Sequence, residues 1–267
     1  MSKVKEYYDD KASSYDLEQR LLYFRVYDLI TWKYTKPYIP KDPSARVLDA
    51  AGGTGKWSIP IAREGPRVVL VDLSGGMLGI ARQKIDEERL SGRIELCHGN
   101  ITSLDFEDET FDMVFCDHAL CFIKDQEIAV KEMVRVLKKG SPIIVSAQNR
   151  YPLSLSIFSQ DVDTATRILF GQEHFMMRGR IPVHTLFPDD FYALLESSGL
   201  RIEKMIGKGI VLTPVVLPME RLWTDDYDRT LLSKLMDTES RLCERKDSLA
   251  LAGHIQAIGY KRQDASR

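Results

Sequence analysis

The sequence predicts a doubly wound α/β fold, built on one sheet of seven mostly parallel strands and interrupted by two helical lid insertions. Short apolar strands alternate with amphipathic helices between residues 45 and 147, an order typical of parallel sheets. The first strand, around Val47 and Leu48, runs through Asp49 into a glycine-rich turn at residues 52–55. Glycines there allow a tight turn and the close approach of a ligand to the backbone.

The elements of the alternating region each carry a local signal. The segment 111–116 is apolar apart from Asp112, which suits a strand buried on both faces. The helix at 76–89 places Met77, Ala81 and Ile85 on one face, and the helix at 126–137 is followed by two lysines and Gly140. In order, the sequence predicts strands at 46–49, 68–72, 94–97, 111–116 and 142–147, and helices at 56–63, 76–89 and 126–137.

The regular alternation stops after residue 147. Two segments without a clean hydrophobic period follow, 148–187 and 208–250. Between them we expect a helix at 188–198 and a strand at 200–206, and after them a strand at 254–260. Residues 17–39 are predicted as one helix whose apolar side caps the pocket, with pairing to a second copy of the chain (a homodimer) left open. We expect one domain over 1–267, made of an N-terminal helical cap (1–44), a ligand-binding core (45–147), lid insertions (148–187 and 208–250) and the rest of the sheet (188–207 and 251–262).

Composition and charge exclude several classes of function. A hydrophobic content of 44% and a charged content of 28% are typical of globular proteins. The formal net charge of −2 favours neither nucleic acid nor a membrane surface as a partner. We see no signal peptide and no apolar run as long as a membrane span. The four cysteines lack metal-binding or disulfide spacing, so we expect a cytoplasmic protein without a metal.

The carboxylate before the glycine turn indicates which ligand the turn holds. A dinucleotide would place its pyrophosphate on this turn, where Asp49 would repel it. S-adenosylmethionine (SAM) instead carries a cationic sulfonium and an ammonium. The third small position of the dinucleotide motif is also met only loosely, by Ser58. The sequence therefore predicts a SAM site that includes Asp49, Ala51, Gly52, Gly53 and Gly55.

The second strand ends in Asp72, which extends the predicted site. A carboxylate at this position accepts hydrogen bonds from ribose hydroxyls in dinucleotide-binding folds, although it is also common as a helix cap. We assign the ribose role to Asp72 and expect Leu73 and Met77 to flank the adenine as apolar contacts.

Polar residues also follow the third and fourth strands. Asn100 can meet the adenine edge, with the backbone of Ile101 beside it. Asp117 and His118 follow the fourth strand, at the sheet edge where open α/β sheets hold ligands. Either side chain can face the cofactor or the substrate.

Residues 45–147 as a whole resemble the class I SAM-dependent methyltransferases. Residues 49–55 are similar to the first motif of that family, residues 68–72 to its acidic second strand, and residues 135–140 to its R-V-L-K-P-G segment. Residues 8–16 resemble the N-terminal Y-D-x-x-A-x-x-Y-D of the quinone-biosynthesis (UbiE-like) type. The resemblance implies a Rossmann-like fold, with residues 254–262 as an antiparallel last strand, and methyl transfer from SAM.

The chain departs from the family pattern at three positions. Ala51 replaces the first glycine, Asn100 replaces an aspartate, and Lys139 replaces a proline. None of these changes removes the cofactor site, because alanine is small and asparagine both donates and accepts hydrogen bonds. The lid insertions show no substrate signature, so only the reaction class carries over.

No motif fixes a catalytic side chain. In-line methyl transfer needs positioning above all, and it needs a general base only when the nucleophile arrives protonated. Segment 174–184, which includes Arg178 and Arg180, could bind an anionic acceptor or remove its proton. The catalytic candidates are His118, His174, His184 and Tyr15.

The leading interpretation is a methyltransferase that acts on a small, partly apolar acceptor. Three alternatives stay open: a methyltransferase acting on a protein side chain, a SAM-binding regulator without turnover, and, less favoured, a nicotinamide-dependent oxidoreductase. The chain shows no basic stripe, so nucleic acid is not expected as a partner.

Overall fold

The computed structural model describes residues 3–158, 160–171, 174–177, 180–212 and 223–263 of the 267-residue chain. Nine strands lie in these ranges: β1 Arg46–Ala50, β2 Arg67–Asp72, β3 Ile94–His98, β4 Met113–Cys116, β5 Pro142–Gln148, β6 Phe175–Met177, β7 Ile181–Val183, β8 Leu200–Lys208 and β9 His254–Lys261. The helices of the same ranges are α1 Lys3–Glu18, α2 Leu22–Thr35, α3 Ser58–Arg63, α4 Gly75–Glu87, α5 Gln126–Val136, α6 Arg150–Ile157, α7 Val162–Leu169, α8 Pro188–Ser197 and α9 Arg229–Leu242.

Seven of the strands form one sheet in the order β3-β2-β1-β4-β5-β9-β8. Strands β1 to β5 pair in parallel, and β9 lies antiparallel between β5 and β8. The predicted fold class is therefore confirmed, including the antiparallel last strand. The strand order reverses at β1, which has β2 on one side and β4 on the other. Open α/β sheets hold ligands in the crevice at such a switch point.

Apolar side chains cover both faces of the sheet, as the strand composition predicts. Alternate residues of one strand serve opposite layers, so that Leu48 packs with α5 and α8 while Val47 packs with α3 and α4. The buried residues Ala129, Val130 and Met133 form the sheet-facing stripe of α5. Both faces of the sheet are therefore covered by helices, and a ligand can reach the sheet at the carboxyl ends of its strands.

The N-terminal region differs from its prediction, because the single helix expected over residues 17–39 is wrong. Helix α1 ends at Glu18, and the backbone of Leu21 is extended before α2 begins. The amide of Leu22 donates to the carbonyl of Thr224, 2.8 Å away, which redirects the chain. Leu17 is 58% exposed at the end of α1. The apolar residues of two consecutive helices therefore resemble one continuous stripe in sequence.

The segment after β5 forms two short helices and the β6–β7 hairpin. Side-chain caps start both helices, since Asn149 accepts from the amide of Tyr151 and Asp161 accepts from the amide of Thr164. These caps are readable in sequence, but the helices are only eight residues long and show no clear period. Residues 213–222 of the second predicted lid, the predicted lid residue Arg178 and the tail after residue 263 lie outside the described residues.

None of the helices in the described ranges combines the length and the apolar character needed to cross a membrane.

Candidate active site

A cavity of about 300 Å³ lies at the carboxyl ends of β1, β2, β3 and β4. Helix α1 closes it from outside through Val4, Lys5, Tyr8 and Tyr15. Most of the predicted site residues line it, although they are spread over more than a hundred positions of the chain. Those in its wall are Tyr15, Ala51, Gly53, Asp72, Leu73, Met77, Asn100, Ile101, Asp117 and His118.

The glycine turn forms the floor of the cavity. Gly53 has a φ of +56°, and a Cβ added there would meet no atom within 4 Å. The cavity therefore has free space above this backbone, as close approach of a ligand requires. Ala51 also has a positive φ, of 64°, and its amide and that of Gly52 both donate to the carbonyl of Val71. An alanine thus adopts the backbone conformation in which the family more often has a glycine.

Three predicted cofactor residues lie outside the cavity lining: Asp49, Gly52 and Gly55. Asp49 is 1% exposed beneath the turn, where its Oδ2 accepts from the Ser58 hydroxyl at 2.5 Å. Burial, reinforced by Asp72 and Asp117, raises the pKa of Asp49 to about 7. The structure thus places this carboxylate under the loop and outside the cavity lining, because the residue belongs to the buried end of β1.

Gly52 is needed for packing beneath the turn. A Cβ there would lie 2.6 Å from Leu70 Cγ and 2.7 Å from Asp49 Oδ2. We expect Gly52→Ala to lower the free energy of unfolding by about 1–3 kcal/mol through overpacking, measured by denaturant unfolding. Gly75→Ala in α4 is the matched control, because a Cβ there would meet nothing within 4 Å. Equal stability of the two variants would refute the packing role.

Asp72 is held in place by the turns on either side of it. Its Oδ2 accepts from the amide of Gly53 and its Oδ1 from the amide of Ser74, both at 2.8 Å. Burial raises the pKa of Asp72, while these amide bonds lower it. Each carboxylate oxygen can accept a further hydrogen bond. The carboxylate is thus fixed at the cavity wall and able to receive hydroxyl donors.

Part of the cavity lining is apolar, and Asn100 belongs to the same lining. Ile101 and Met77 are buried, and Leu73 also lines the cavity. Asn100 uses its Oδ1 within its own turn, where it accepts from the amide of Thr102 at 3.0 Å. Its amide nitrogen has no partner among the described residues, so the side chain is available as a donor. An aspartate at this position would offer acceptors instead.

Asp117, predicted to face the cofactor or the substrate, makes four hydrogen bonds within the protein. Its Oδ1 accepts from Tyr27, Ser146 and Lys208 at 2.9, 2.7 and 2.8 Å, and its Oδ2 accepts from Trp57 at 3.2 Å. Burial opposes ionisation, but the Lys208 ammonium and the Ser146 hydroxyl outweigh it and hold the pKa of Asp117 below its usual value. The carboxylate therefore anchors the end of β4 and has little capacity left for a ligand.

Lys208 was not predicted as a site residue. It is fully buried at the end of β8, where its Nζ donates to Asp117 and to the Thr31 hydroxyl at 3.0 Å. The ammonium also lies 4.0 Å from the centroid of the Tyr27 ring. Burial lowers the pKa of Lys208, and Asp117 opposes this shift. The sequence offers little signal for this role, because β8 carries other charged residues and Lys208 is simply its last residue.

His118 lies in the cavity wall beside this anchor. Its φ is +54°, and its amide donates to the Ser146 hydroxyl, which in turn donates to Asp117. Burial and the positive charges of Lys56 and Lys208 lower the pKa of His118 to about 4, although the Asp117 carboxylate favours the protonated imidazole. The imidazole is therefore neutral near pH 7, and no hydrogen bond joins it to another of the described residues. A neutral, unpaired imidazole at a cavity wall can accept a proton.

The other catalytic candidates are divided between two places. Tyr15 lines the cavity beside Tyr8, and burial raises the pKa of its hydroxyl well above the usual range. His174 and His184 lie against each other near the β6–β7 hairpin, with ring centroids 4.3 Å apart, and neither lines the cavity. The structure thus brings Tyr15 and His118 together at the cavity and leaves the two lid histidines outside it.

The described residues contain no group of three or more histidine, cysteine, aspartate or glutamate side chains that could hold a metal ion.

Comparison with known proteins identifies the sheet domain. Residues 48–145 match the family described as methyltransferase domain. The chain is 33% identical over 146 residues to a demethylmenaquinone methyltransferase of Bacillus cereus (strain ATCC 10987 / NRS 248), an alignment that covers 53% of this chain and 60% of that enzyme. The chain thus spans well under the full length of this relative. The resemblance to class I methyltransferases is confirmed.

Solved structures share the fold over most of the chain. A Thermotoga maritima SAM-dependent methyltransferase, described as a possible histamine N-methyltransferase, superposes with a TM-score of 0.60 at 18% identity, covering 97% of this chain and 99% of that one. Geranyl diphosphate C-methyltransferase from Streptomyces coelicolor A3(2), solved with Mg²⁺, geranyl diphosphate and S-adenosyl-L-homocysteine, gives a TM-score of 0.59 at 13% identity, with 88% and 79% covered. At these identities the likeness shows the fold.

Proposed function

We propose that this chain, whose residues 48–145 form a methyltransferase domain, transfers a methyl group from SAM to a small, partly apolar acceptor. One observation carries the proposal. The cavity at the strand-order switch combines open space over Gly53, a fixed carboxylate at Asp72 and an apolar wall at Met77 and Ile101. SAM fits all three features. Its ribose would meet Asp72 and its adenine the apolar wall. It carries no phosphate, so the turn at Gly53 only has to leave space for it.

The residues present fit SAM. Asp72 would accept hydrogen bonds from the ribose hydroxyls, and Asn100 would donate its amide to a ring nitrogen of the adenine. Leu73, Met77 and Ile101 would flank the adenine. When bound, SAM supplies a methyl group that is already activated by the sulfonium. The protein contributes chiefly by aligning an acceptor atom with that methyl group.

His118 is the side chain we assign to proton removal from the acceptor. It is the histidine that lines the cavity in the described part of the chain, and burial keeps it neutral. Tyr8 and Phe122 flank the same region, with ring centroids 5.4 Å apart, and His118 lies nearly parallel to Phe122 at 6.0 Å. The aromatic surroundings favour an acceptor with an apolar body.

Helix α1 and the β6–β7 hairpin are the parts we propose as a lid. Arg180 lies next to the hairpin, 3.0 Å from Asp10 and 5.5 Å from the centroid of the Tyr7 ring, so it joins the hairpin to α1. Asp9 accepts from the Ser74 hydroxyl and the Gly76 amide, which fastens α1 to the start of α4. A cytoplasmic location and the pairing of two copies stay predictions.

Calorimetric titration with SAM, S-adenosylhomocysteine and NADH tests the proposal directly. We expect the first two ligands to bind and NADH not to bind. Binding of NADH alone would support an oxidoreductase instead. Binding of SAM without turnover of any acceptor would favour the regulator, and methylation of a protein added to the assay would move the acceptor to a side chain.

Asp72→Ala should weaken SAM binding by about 1–3 kcal/mol, the cost of lost hydrogen bonds to a charged group. This corresponds to roughly a 5- to 150-fold rise in Kd, measured in the same titration. Asp86→Ala removes an exposed carboxylate of α4 that does not line the cavity and serves as the matched control. Unchanged affinity in Asp72→Ala would remove the ribose assignment.

A further inference from the structure

A layer of buried polar side chains lies behind His118, between α2 and the sheet. Ser146 on β5 is paired with Gln256 on β9, and His254 on β9 is paired with Lys208 on β8. Paired residues point to the same face of a sheet, and Lys208 contacts Thr31 of α2 from that face. Three neighbouring strands therefore place polar residues under one helix, at the edge of the sheet that carries the cavity.

Part of this layer lacks hydrogen-bond partners. His254 is 3% exposed and Gln256 is 1% exposed. Among the described residues, His254 Nε2 and both amide atoms of Gln256 have no partner. Buried polar atoms without partners are rare and costly, so a cluster of three indicates that another group satisfies them.

The charges of the layer restrict what that group can be. Lys208 and Asp117 neutralise each other at 2.8 Å. Burial lowers the pKa of His254 well below its usual value, with His118 and Lys208 adding to the shift, so the imidazole is neutral. Gln256 offers one donor group and one acceptor. A charged ligand would find no free counter-charge here, whereas an uncharged group with a donor beside a carbonyl would satisfy the Gln256 amide.

His118 forms the wall between this layer and the cavity. Its ring lines the cavity, and its centroid lies 4.6 Å from that of His254. The ring of Tyr27 lies 5.0 Å from His254 on the side of α2. His118 therefore contacts the cavity on one side and His254, the first residue of the layer, on the other.

We propose that His254 and Gln256 form a subsite for an uncharged carbonyl-and-donor group of the acceptor, such as a carboxamide or a hydroxy ketone. The proposal rests on the proposed function only for the identity of the ligand as the methyl acceptor. The unpartnered atoms, the neutral charge balance and the contact of His118 with His254 all concern the protein itself.

Benzamide and benzoate are matched probes for this subsite, because they differ in charge and in the presence of a donor. Each is added to the ¹⁵N-labelled protein saturated with S-adenosylhomocysteine, and the side-chain amide resonances are followed by NMR. We expect benzamide to shift the Gln256 side-chain resonance, which is identified by its absence in Gln256→Leu. Benzoate should leave that resonance unchanged. An equal or larger shift with benzoate, or no shift with benzamide, would overturn the proposal.

Stability provides a second readout. Gln256→Leu removes two unpartnered atoms and should raise Tm by roughly 2–4 °C. Gln126→Leu is the control, since Gln126 Nε2 donates to the Leu120 carbonyl at 2.9 Å, and it should lower Tm without affecting the benzamide shift. A lower Tm for Gln256→Leu would mean that ordered water already satisfies the amide, and the subsite would be rejected. Failure of S-adenosylhomocysteine to bind would reject the proposed function instead.

Discussion

Lys208→Met should lower the free energy of unfolding by about 3–5 kcal/mol, the cost of leaving a buried charge without its partner. Lys208 is completely buried, and its ammonium is the cation bonded to Asp117, whose side chain is 4% exposed. Methionine fills a similar volume, so the loss would come from electrostatics rather than from a cavity. Urea unfolding followed by circular dichroism measures the difference.

A double-mutant cycle separates the charge from the shape. Asp117→Asn alone should also destabilise the protein, whereas Lys208→Met combined with Asp117→Asn should recover much of the loss. Additive effects of the two changes would mean that the pair does not act as a unit. Lys204→Met is the matched surface control, because Lys204 pairs with Glu244 in an exposed position and should change stability little.

His118→Asn should lower kcat/KM for the methyl acceptor by about 10²–10⁴-fold if the acceptor arrives protonated. The neutral imidazole is the active form of a general base. Since the pKa of His118 is lowered to about 4, wild-type activity should stay flat at neutral pH and fall only as the pH approaches 4. SAM binding should change little, because the assigned ribose and adenine contacts lie elsewhere in the cavity.

Two measurements control this experiment. His98→Asn changes an exposed histidine that does not line the cavity, and it should leave the pH profile unaltered. Folding stability must be followed in parallel, because a histidine with a lowered pKa in the folded state stabilises the fold above its unfolded pKa and loses that contribution as the pH falls. An inflection near pH 6.5 in the wild-type profile, or full activity in His118→Asn, would contradict the assignment.

The cavity wall could be predicted from sequence because parallel strands bring their carboxyl ends to one edge. Asp72, Asn100 and His118 each follow an apolar strand, and the order of strands is enough to place them together. Asp49 follows the same rule but is buried beneath the turn. The sequence does not show that Gly52 packs against this carboxylate and holds the loop above it.

Lys208, His254 and Gln256 could not be placed from sequence. Their meeting depends on β9 entering the sheet antiparallel between β5 and β8, with His254 in register with Lys208. A shift of β9 by one residue would turn His254 and Gln256 to the other face of the sheet. His174 and His184 were suggested by an unusual local composition, and the structure places both outside the cavity lining, beside the β6–β7 hairpin, so a catalytic role for either stays a prediction.

The strand order also affects when the site forms during synthesis of the protein. Among the described strands of the main sheet, β8 pairs with β9 alone, so Lys208 cannot join the sheet until β9 has left the ribosome. Until then Asp117 lacks its cation, and the backbone beside His118 lacks part of its anchor. The glycine turn and Asp72 come from strands that pair earlier in the chain. A nascent chain would therefore form its cofactor floor first and its acceptor side last.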